Sequence, residues 1–194
     1  MTPEQAKAMN EIKALAKGKK ICLHVGCGAP NPAKLHEAFR GEDWFELRFD
    51  IDPSTQPHIQ GDLTDLSMFA DGMVQGIFSS HNMEHLEPHK VVDALKGFHR
   101  VLSWGGELII ATPDLQTVAA FVAAGKLEVP LYQSPAGPIA PLDVFYGLRP
   151  SLAAGNHFMA HRTGFTYHTL TEKLKEAGFA NLTITRDRFD LEAR

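Results

Sequence analysis

The sequence is poor in cysteine, in long apolar runs and in clustered charge of one sign. Only Cys22 and Cys27 are cysteines among 194 residues. An extended segment would carry their side chains apart, so we expect no disulfide and a reducing, cytoplasmic location. No apolar stretch approaches the length that crosses a bilayer, and the amphipathic N-terminal segment lacks the apolar core of a signal peptide. The sequence therefore predicts no membrane partner.

The charged residues are mixed rather than gathered into one patch. The net charge is −4, and lysine and arginine form no block of the kind that marks a nucleic-acid surface. Apolar residues make up 44% of the chain, which is enough for a buried core. We therefore expect a single domain over residues 1–194 and no nucleic-acid partner, while the oligomeric state stays open.

Strand candidates alternate with helix candidates over most of the chain. The strand candidates are KICLHV (20–25), WFELRFD (44–50), residues 58–60, GIFSS (76–80), ELIIAT (107–112) and NLTIT (181–185). A helix is predicted to start at Pro32, with Asn31 as its cap, and Phe189 to Ala193 is predicted to add a short edge strand. The alternation predicts an α/β fold with a doubly wound, mostly parallel Rossmann-like sheet and helices on both faces.

The alternation stops between residues 113 and 165. From residue 130 to residue 158 it interleaves five prolines with aromatic residues: Pro130, Tyr132, Pro135, Pro138, Pro141, Phe145, Tyr146, Pro150 and Phe158. Proline removes a backbone donor, so neither a central strand nor a long helix fits here. Long irregular segments are often functional, and we interpret this one as a lid or substrate-binding insert. A decorated surface loop is the alternative.

A glycine-rich loop follows the first predicted strand. Gly26 and Gly28 allow a tight turn and a close approach of the backbone to a ligand, and Asp50 ends the next strand, where a carboxylate can accept from ribose hydroxyls. Pro30 and Pro32 remove N–H donors that a pyrophosphate would need. The loop therefore favours a nucleoside ligand without phosphates, the alternative being an ordinary turn beside a surface aspartate.

Five segments occur in a familiar order: LHVGCGAP, FDIDP, HIQGDLTDL, SSHNMEHL and RVLSWGGELIIATPD. The chain resembles class I S-adenosylmethionine-dependent methyltransferases, in particular small type-11-like members with an HxxEHL segment after the fourth strand. The resemblance implies a transferase that uses S-adenosylmethionine to methylate an unidentified small-molecule acceptor. The chain departs from the family at His24, where many members carry an acidic residue, and at Pro30, where many carry a glycine. These departures favour the alternative of a non-catalytic nucleoside-binding module with a degenerate site.

The same resemblance implies roles for single residues. Those implied to bind the cofactor are Gly26, Cys27, Gly28, Asp50, Ile51, Asp62, Leu63 and Ser80. In that arrangement the glycine loop lies beneath the methionine part, Asp50 holds the ribose diol, and Asp62 accepts from the adenine amino group. Ser80 and His81 would face the cofactor near its methyl group.

The segment His81-Asn82-Met83-Glu84-His85 also fits the H-x-x-E-H pattern of some zinc peptidases. A zinc-dependent hydrolase using His81, Glu84 and His85 would leave the glycine loop and Asp50 without a role. We therefore expect no metal here and keep the hydrolase as a less favoured alternative. A nonproteolytic metal site with His157 or His161 stays open.

The histidines of this region are also candidates for contact with the acceptor. We expect His81 to be the catalytic residue, acting as a general base if the acceptor carries a proton that must leave. Glu84, His157 and His161 are candidate substrate contacts. The alternatives are structural: Glu84 and His85 as a hydrogen-bonded pair that fixes the loop, and a lid held by its own side chains.

Overall fold

The computed structural model describes residues 2–194, which form nine strands and six α-helices. The strands are β1 (Lys20–Val25), β2 (Trp44–Asp50), β3 (Ile59–Gln60), β4 (Val74–Ser80), β5 (Leu102–Pro113), β6 (Tyr132–Ser134), β7 (Gly137–Ile139), β8 (Ile184–Asp187) and β9 (Asp190–Ala193). The helices are α1 (Pro3–Ala16), α2 (Val91–Val101), α3 (Leu115–Ala123), α4 (Pro141–Tyr146), α5 (Arg149–Ala153) and α6 (Tyr167–Glu176).

Seven strands form one sheet in the order β3-β2-β1-β4-β5-β9-β8. The neighbours from β3 to β5 are parallel, whereas β9 runs antiparallel to both β5 and β8. The predicted α/β class with a mostly parallel, Rossmann-like sheet is confirmed. The prediction that Phe189–Ala193 forms an edge strand is wrong. Strand β9 lies inside the sheet, where it pairs with both β5 and β8 and buries Leu191 and Ala193.

One face of the sheet carries the main hydrophobic core. Alternate strand residues such as Leu23 and Ile77 pack against the apolar sides of α1, α2 and α6. Helix α2 contributes Leu95 and Phe98, both fully buried, at helical spacing. Within residues 2–194, no helix is both long and apolar enough to cross a bilayer.

The opposite face is covered by 3-10 turns instead of an α-helix between β1 and β2. Leu35 and Phe39 pack there on Cys22, Phe78 and Ile109. The segment that follows the glycine loop and leads to β2 places only Leu35 and Phe39 in this cluster, so it lacks the apolar stripe that an amphipathic helix needs to pack on a sheet.

The helix predicted to start at Pro32 is therefore wrong. The chain forms two separate 3-10 turns, Pro32–Lys34 and Glu37–Phe39. Asn31 does cap the first of them, because its Oδ1 accepts from the Ala33 N–H at 3.0 Å. No α-helix therefore begins directly after the glycine loop.

Residues 113–165, called the insert below, contain α3, the β6–β7 hairpin, α4 and α5. The hairpin forms a separate two-stranded sheet, consistent with prolines that exclude a central strand. Asp143 fixes its centre, because this buried carboxylate accepts from the Ala140 N–H at 2.9 Å and from Arg149 Nε at 2.7 Å. The insert is therefore an ordered structure with its own polar clamp.

Candidate active site

A cleft of about 440 Å³ opens at the carboxyl ends of β1, β2 and β4. Parallel sheets bind ligands at this edge, where loops from neighbouring strands converge. Of the predicted site residues, those that line the cleft are Gly26, Gly28, Asp50, Ile51, Asp62, Leu63, Ser80, His81 and His157. The sequence therefore led to one contiguous site, assembled from segments that are distant along the chain.

The glycine loop is shaped by a neighbour that the sequence reasoning missed. Gly26 has φ +59°, and a β-carbon built on it would lie 1.8 Å from Asn82 Oδ1. Asn82 is held in this position because its amide donates to the carbonyls of Val25 and Ser80, each at 2.9 Å. Position 26 therefore has room only for glycine.

Asp50 joins the end of β2 to the glycine loop. One carboxylate oxygen accepts from the Gly28 N–H at 2.8 Å and the other from the Asp52 N–H at 2.9 Å. The side chain is buried yet borders the cleft. A carboxylate has about four acceptor positions, so beyond these two bonds and a weak contact from the Cys27 thiol it keeps acceptor capacity for a ligand.

The loop after β3 forms the next part of the wall. Asp62 is exposed and its Oδ1 accepts from the Thr64 N–H at 2.8 Å, which shapes the turn. Leu63 packs against the main core beside it, while Ile51 is exposed on the cleft surface. The wall therefore combines a fixed carboxylate with apolar side chains.

Cys27 is the one predicted cofactor residue that does not line the cleft. Its thiol is buried, with Sγ 3.9 Å from Asp50 Oδ2, and its N–H donates to the Phe49 carbonyl. Burial raises the pKa of the Cys27 thiol to about 11. Both cysteines are free, as predicted, and the thiol side of Cys27 belongs to the core.

His81 sits at the centre of a polar group beside the cleft. It has φ +53°, an uncommon conformation for a residue other than glycine, and its side chain is 44% exposed. Its Nδ1 lies 3.4 Å from Glu84 Oε1 and its Nε2 lies 3.8 Å from Asp190 Oδ2. Burial lowers the pKa of His81, but the two carboxylates outweigh it and the net shift is upward.

Glu84 lies behind the cleft rather than on its surface. Its side chain is buried and accepts from Thr112 Oγ1 at 3.3 Å, while its backbone carbonyl accepts from the N–H groups of Arg162 and Thr163. These bonds tie the end of the insert to the loop after β4. Burial raises the pKa of Glu84, but the nearby imidazoles of His81 and His85 lower it by more, so the net shift of the Glu84 pKa is downward.

The insert supplies the outer wall of the cleft. His157 and Phe158 are exposed on it, and Arg162 forms an ion pair with Glu87 at 2.6 Å. His161 lies deeper, with its ring 4.8 Å from that of His85, and burial lowers its pKa. His157 therefore faces the cleft, whereas His161 faces Glu84 and His85.

The zinc-peptidase arrangement of the HNMEH segment requires a helix that the structure does not have. Met83–His85 forms a single 3-10 turn, so His81 and His85 are not placed by a helical repeat.

Asp190 was not found from the sequence, because its position beside His81 depends on the pairing of β9 with β5. No local pattern around Asp190 signals that pairing.

Comparison with known proteins shows which family part of the chain is similar to. The family model described as "Methyltransferase domain" matches residues 23–110, which run from β1 into β5 and include the glycine loop, Asp50 and the HNMEH segment. This part of the chain is therefore similar to methyltransferase domains. No curated protein matches the sequence of the chain.

Solved structures share the fold of the chain at low sequence identity. A SAM-dependent methyltransferase from Archaeoglobus fulgidus is 19% identical with a TM-score of 0.56, covering 93% of this chain and 69% of that one. The PH0226 protein from Pyrococcus horikoshii is 16% identical with a TM-score of 0.57, covering 97% and 87%. An S-adenosylmethionine-dependent methyltransferase from Mesorhizobium loti is 17% identical with a TM-score of 0.52, covering 98% and 97%. These similarities establish the fold.

Proposed function

We propose that this chain binds S-adenosylmethionine in the cleft and transfers its methyl group to a small-molecule acceptor. The observation that carries the proposal is the Asp50 carboxylate, which is fixed by two backbone N–H groups and borders the cleft with acceptor capacity to spare. A ribose diol offers two matching hydroxyl donors. Two of the structures with this fold are named as S-adenosylmethionine-dependent methyltransferases, which supports the same cofactor.

The remaining cofactor contacts are those that the resemblance to class I methyltransferases implies. The backbone of Gly26, Cys27 and Gly28 would pass beneath the methionine part, and Ser80 would lie near the methyl group. Ile51, Asp62 and Leu63 would surround the adenine, with the Asp62 carboxylate accepting from the amino group.

Lys34 offers a partner for the carboxylate of the methionine part. A β-carbon built on Gly28 would lie 2.9 Å from Lys34 Nζ, so the ammonium group lies beside a glycine of the cleft wall, although Lys34 itself is not part of the lining. The buried His24 is bonded to Glu46 at 2.6 Å and does not line the cleft. Position 24 therefore contributes no side chain to the cleft surface.

The acceptor would enter between His81 and the insert. We propose His81 as the catalytic residue, since it borders the cleft at the end of β4, and His157 as a contact from the insert acting as a lid. Glu84 and His161 would act from behind this surface. A cleft of about 440 Å³ that also holds the cofactor leaves room for a small acceptor only.

Methyl transfer requires mainly that the acceptor atom is aligned with the methyl group. S-adenosylmethionine supplies a methyl group on a positively charged sulfur, which is already a good leaving group. The chain has to hold the acceptor in line with that methyl group and exclude water, and the insert is placed to do both.

Calorimetric titration with S-adenosylhomocysteine and with adenosine tests the proposal. Asp50→Asn should weaken both ligands by about 10- to 100-fold, since hydrogen bonds to a charged group contribute about 1.5–3 kcal/mol. Lys34→Met should weaken S-adenosylhomocysteine alone, because adenosine lacks the carboxylate. Asp93→Asn, an exposed exchange on α2 outside the lining of the cleft, is the matched control.

Unchanged affinity in Asp50→Asn, with the fold verified by circular dichroism, would remove the basis of the proposal. Turnover with labelled S-adenosylmethionine on a panel of small hydroxyl, amine and thiol acceptors tests the transferase activity separately. Nucleoside binding without turnover on any acceptor class would favour the non-catalytic binding module.

A further inference from the structure

Three side chains that come from two separate segments of the chain meet behind His81. Glu84 and His85 lie in the loop after β4, and His161 lies at the end of the insert. One ligand atom from each of them lies within 4.8 Å of the others. The cluster combines a carboxylate with two imidazoles, which is a set of donors that binds divalent transition metals.

The two imidazoles are held in the tautomer that metal binding requires. His85 Nδ1 lies 3.0 Å from the Ala160 carbonyl, and His161 Nδ1 lies 2.7 Å from the Val144 carbonyl. A carbonyl only accepts, so each Nδ1 carries the proton and each Nε2 keeps its lone pair. Backbone carbonyls orient metal-binding histidines in this way in many known sites.

The carboxylate of Glu84 has an unused oxygen at the same place. The residue is only 1% exposed, and Oε1 is buried with no hydrogen-bond partner, whereas Oε2 accepts from Thr112. His81 Nδ1 stands 3.4 Å away but without the geometry of a hydrogen bond. Leaving a buried carboxylate oxygen without a donor is costly, and a bound cation would remove that cost.

We propose that Glu84, His85 and His161 bind a divalent transition metal ion of the Zn²⁺ class. Two histidines and one glutamate are a known three-ligand set for zinc, which leaves a fourth position open. Bonds of about 2.1 Å in a tetrahedron separate ligand atoms by about 3.4 Å, so binding would draw the three atoms together by up to about 1.4 Å.

The proposed site differs from the zinc-peptidase pattern. His81 is not a ligand, no helix carries the motif, and the third ligand, His161, comes from the insert. Because His85 also lines the cleft, the open position would face the space in which the acceptor is expected. The site would then fasten the insert and offer a binding point for an oxygen or nitrogen of the acceptor.

Zinc titration of the chelator-treated, dialysed full chain tests the inference without any nucleoside. Wild type should bind one Zn²⁺ per chain by calorimetry and elemental analysis. Glu84→Gln and His161→Ala should each weaken binding at least about 10-fold, in line with the effects seen at metal sites. His89→Ala is the matched control, because His89 is exposed in the same segment and outside the cluster.

Co²⁺ in place of Zn²⁺ gives a second readout, since a tetrahedral site with nitrogen and oxygen ligands should produce visible absorption that disappears in His161→Ala. Circular dichroism verifies that each variant folds, and a zinc-dependent rise in the melting temperature of wild type would support the site even if a variant failed to fold. Absence of zinc binding by wild type, binding by both ligand variants that is as tight as that of wild type, or a loss in His89→Ala as large as that in the ligand variants would overturn the inference. Saturation by Mg²⁺ instead of Zn²⁺ would overturn the assigned metal class. None of these outcomes depends on S-adenosylmethionine.

Discussion

Substitution of Gly26 by alanine tests the packing of the cleft floor. A β-carbon at this position would lie 1.8 Å from Asn82 Oδ1 and 2.2 Å from its Cγ, so the amide must leave. Its two hydrogen bonds to the carbonyls of Val25 and Ser80 would be lost. The backbone would also keep φ near +59°, which a residue with a β-carbon adopts at a cost.

The expected loss of stability follows from these two effects. A left-handed conformation costs about 1–2 kcal/mol for a residue other than glycine. Each lost hydrogen bond costs about 1 kcal/mol, which brings the free-energy loss to about 3–4 kcal/mol. Gly125→Ala isolates the backbone part, since Gly125 has φ +75° and an added β-carbon there meets no atom within 4 Å.

Urea unfolding followed by circular dichroism measures both variants. We expect the free energy of unfolding of Gly26→Ala to be about 2 kcal/mol lower than that of Gly125→Ala, and this difference is the contribution of the two Asn82 hydrogen bonds. The double variant with Asn82→Ala should be no less stable than Gly26→Ala alone, because the clash and the two bonds are already gone. Equal losses in the two glycine variants, or additive losses in the double variant, would refute the packing of Asn82 on Gly26.

Two further predictions concern the insert and the cysteines. Burial raises the pKa of Asp143, but hydrogen bonds from Arg149 and from the Ala140 backbone outweigh it and lower the pKa below 3.8. The contribution of the Asp143 carboxylate to stability is therefore fully present above pH 3.8, and it disappears as the pH falls through the lowered pKa of the folded state. Asp143→Asn should therefore cost about 2–3 kcal/mol at neutral pH in urea unfolding, and the difference from wild type should shrink below pH 3.8; a difference independent of pH would contradict the clamp. Burial raises the pKa of both Cys22 and Cys27, so neither thiol should react with a disulfide reagent at neutral pH until the chain unfolds; rapid labelling of the folded protein would show that one of them is accessible.

The fold was predictable where the residue pattern is strongly periodic. The runs KICLHV and WFELRFD became β1 and β2 within the predicted limits. In each run apolar residues alternate at the period of a strand and face the main core, namely Ile21, Leu23 and Val25 in β1 and Phe45, Leu47 and Phe49 in β2. The helix expected at Pro32 did not form, although its cap and its proline were present. Local start signals do not reveal whether a segment has enough apolar residues to hold a helix on the sheet.

The candidate site was predictable where residues follow strand ends directly. Gly26, Asp50 and His81 each end or follow a parallel strand, and the sheet brings such positions to one edge. Asn82 and Asp190 were not found, since their roles depend on a side-chain packing contact and on the pairing of β9. Neither of these leaves a trace in nearby residues.

The two backbone bonds from Arg162 and Thr163 to the Glu84 carbonyl limit how the cleft can open. The last turn of the insert is anchored to the floor of the site, so it should not swing outward as one rigid flap. Admission of the acceptor and departure of the products would instead involve residues 156–159, which line the cleft and precede these two bonds. Hydrogen exchange should therefore be faster at the amides of residues 157–159 than at those of Arg162 and Thr163.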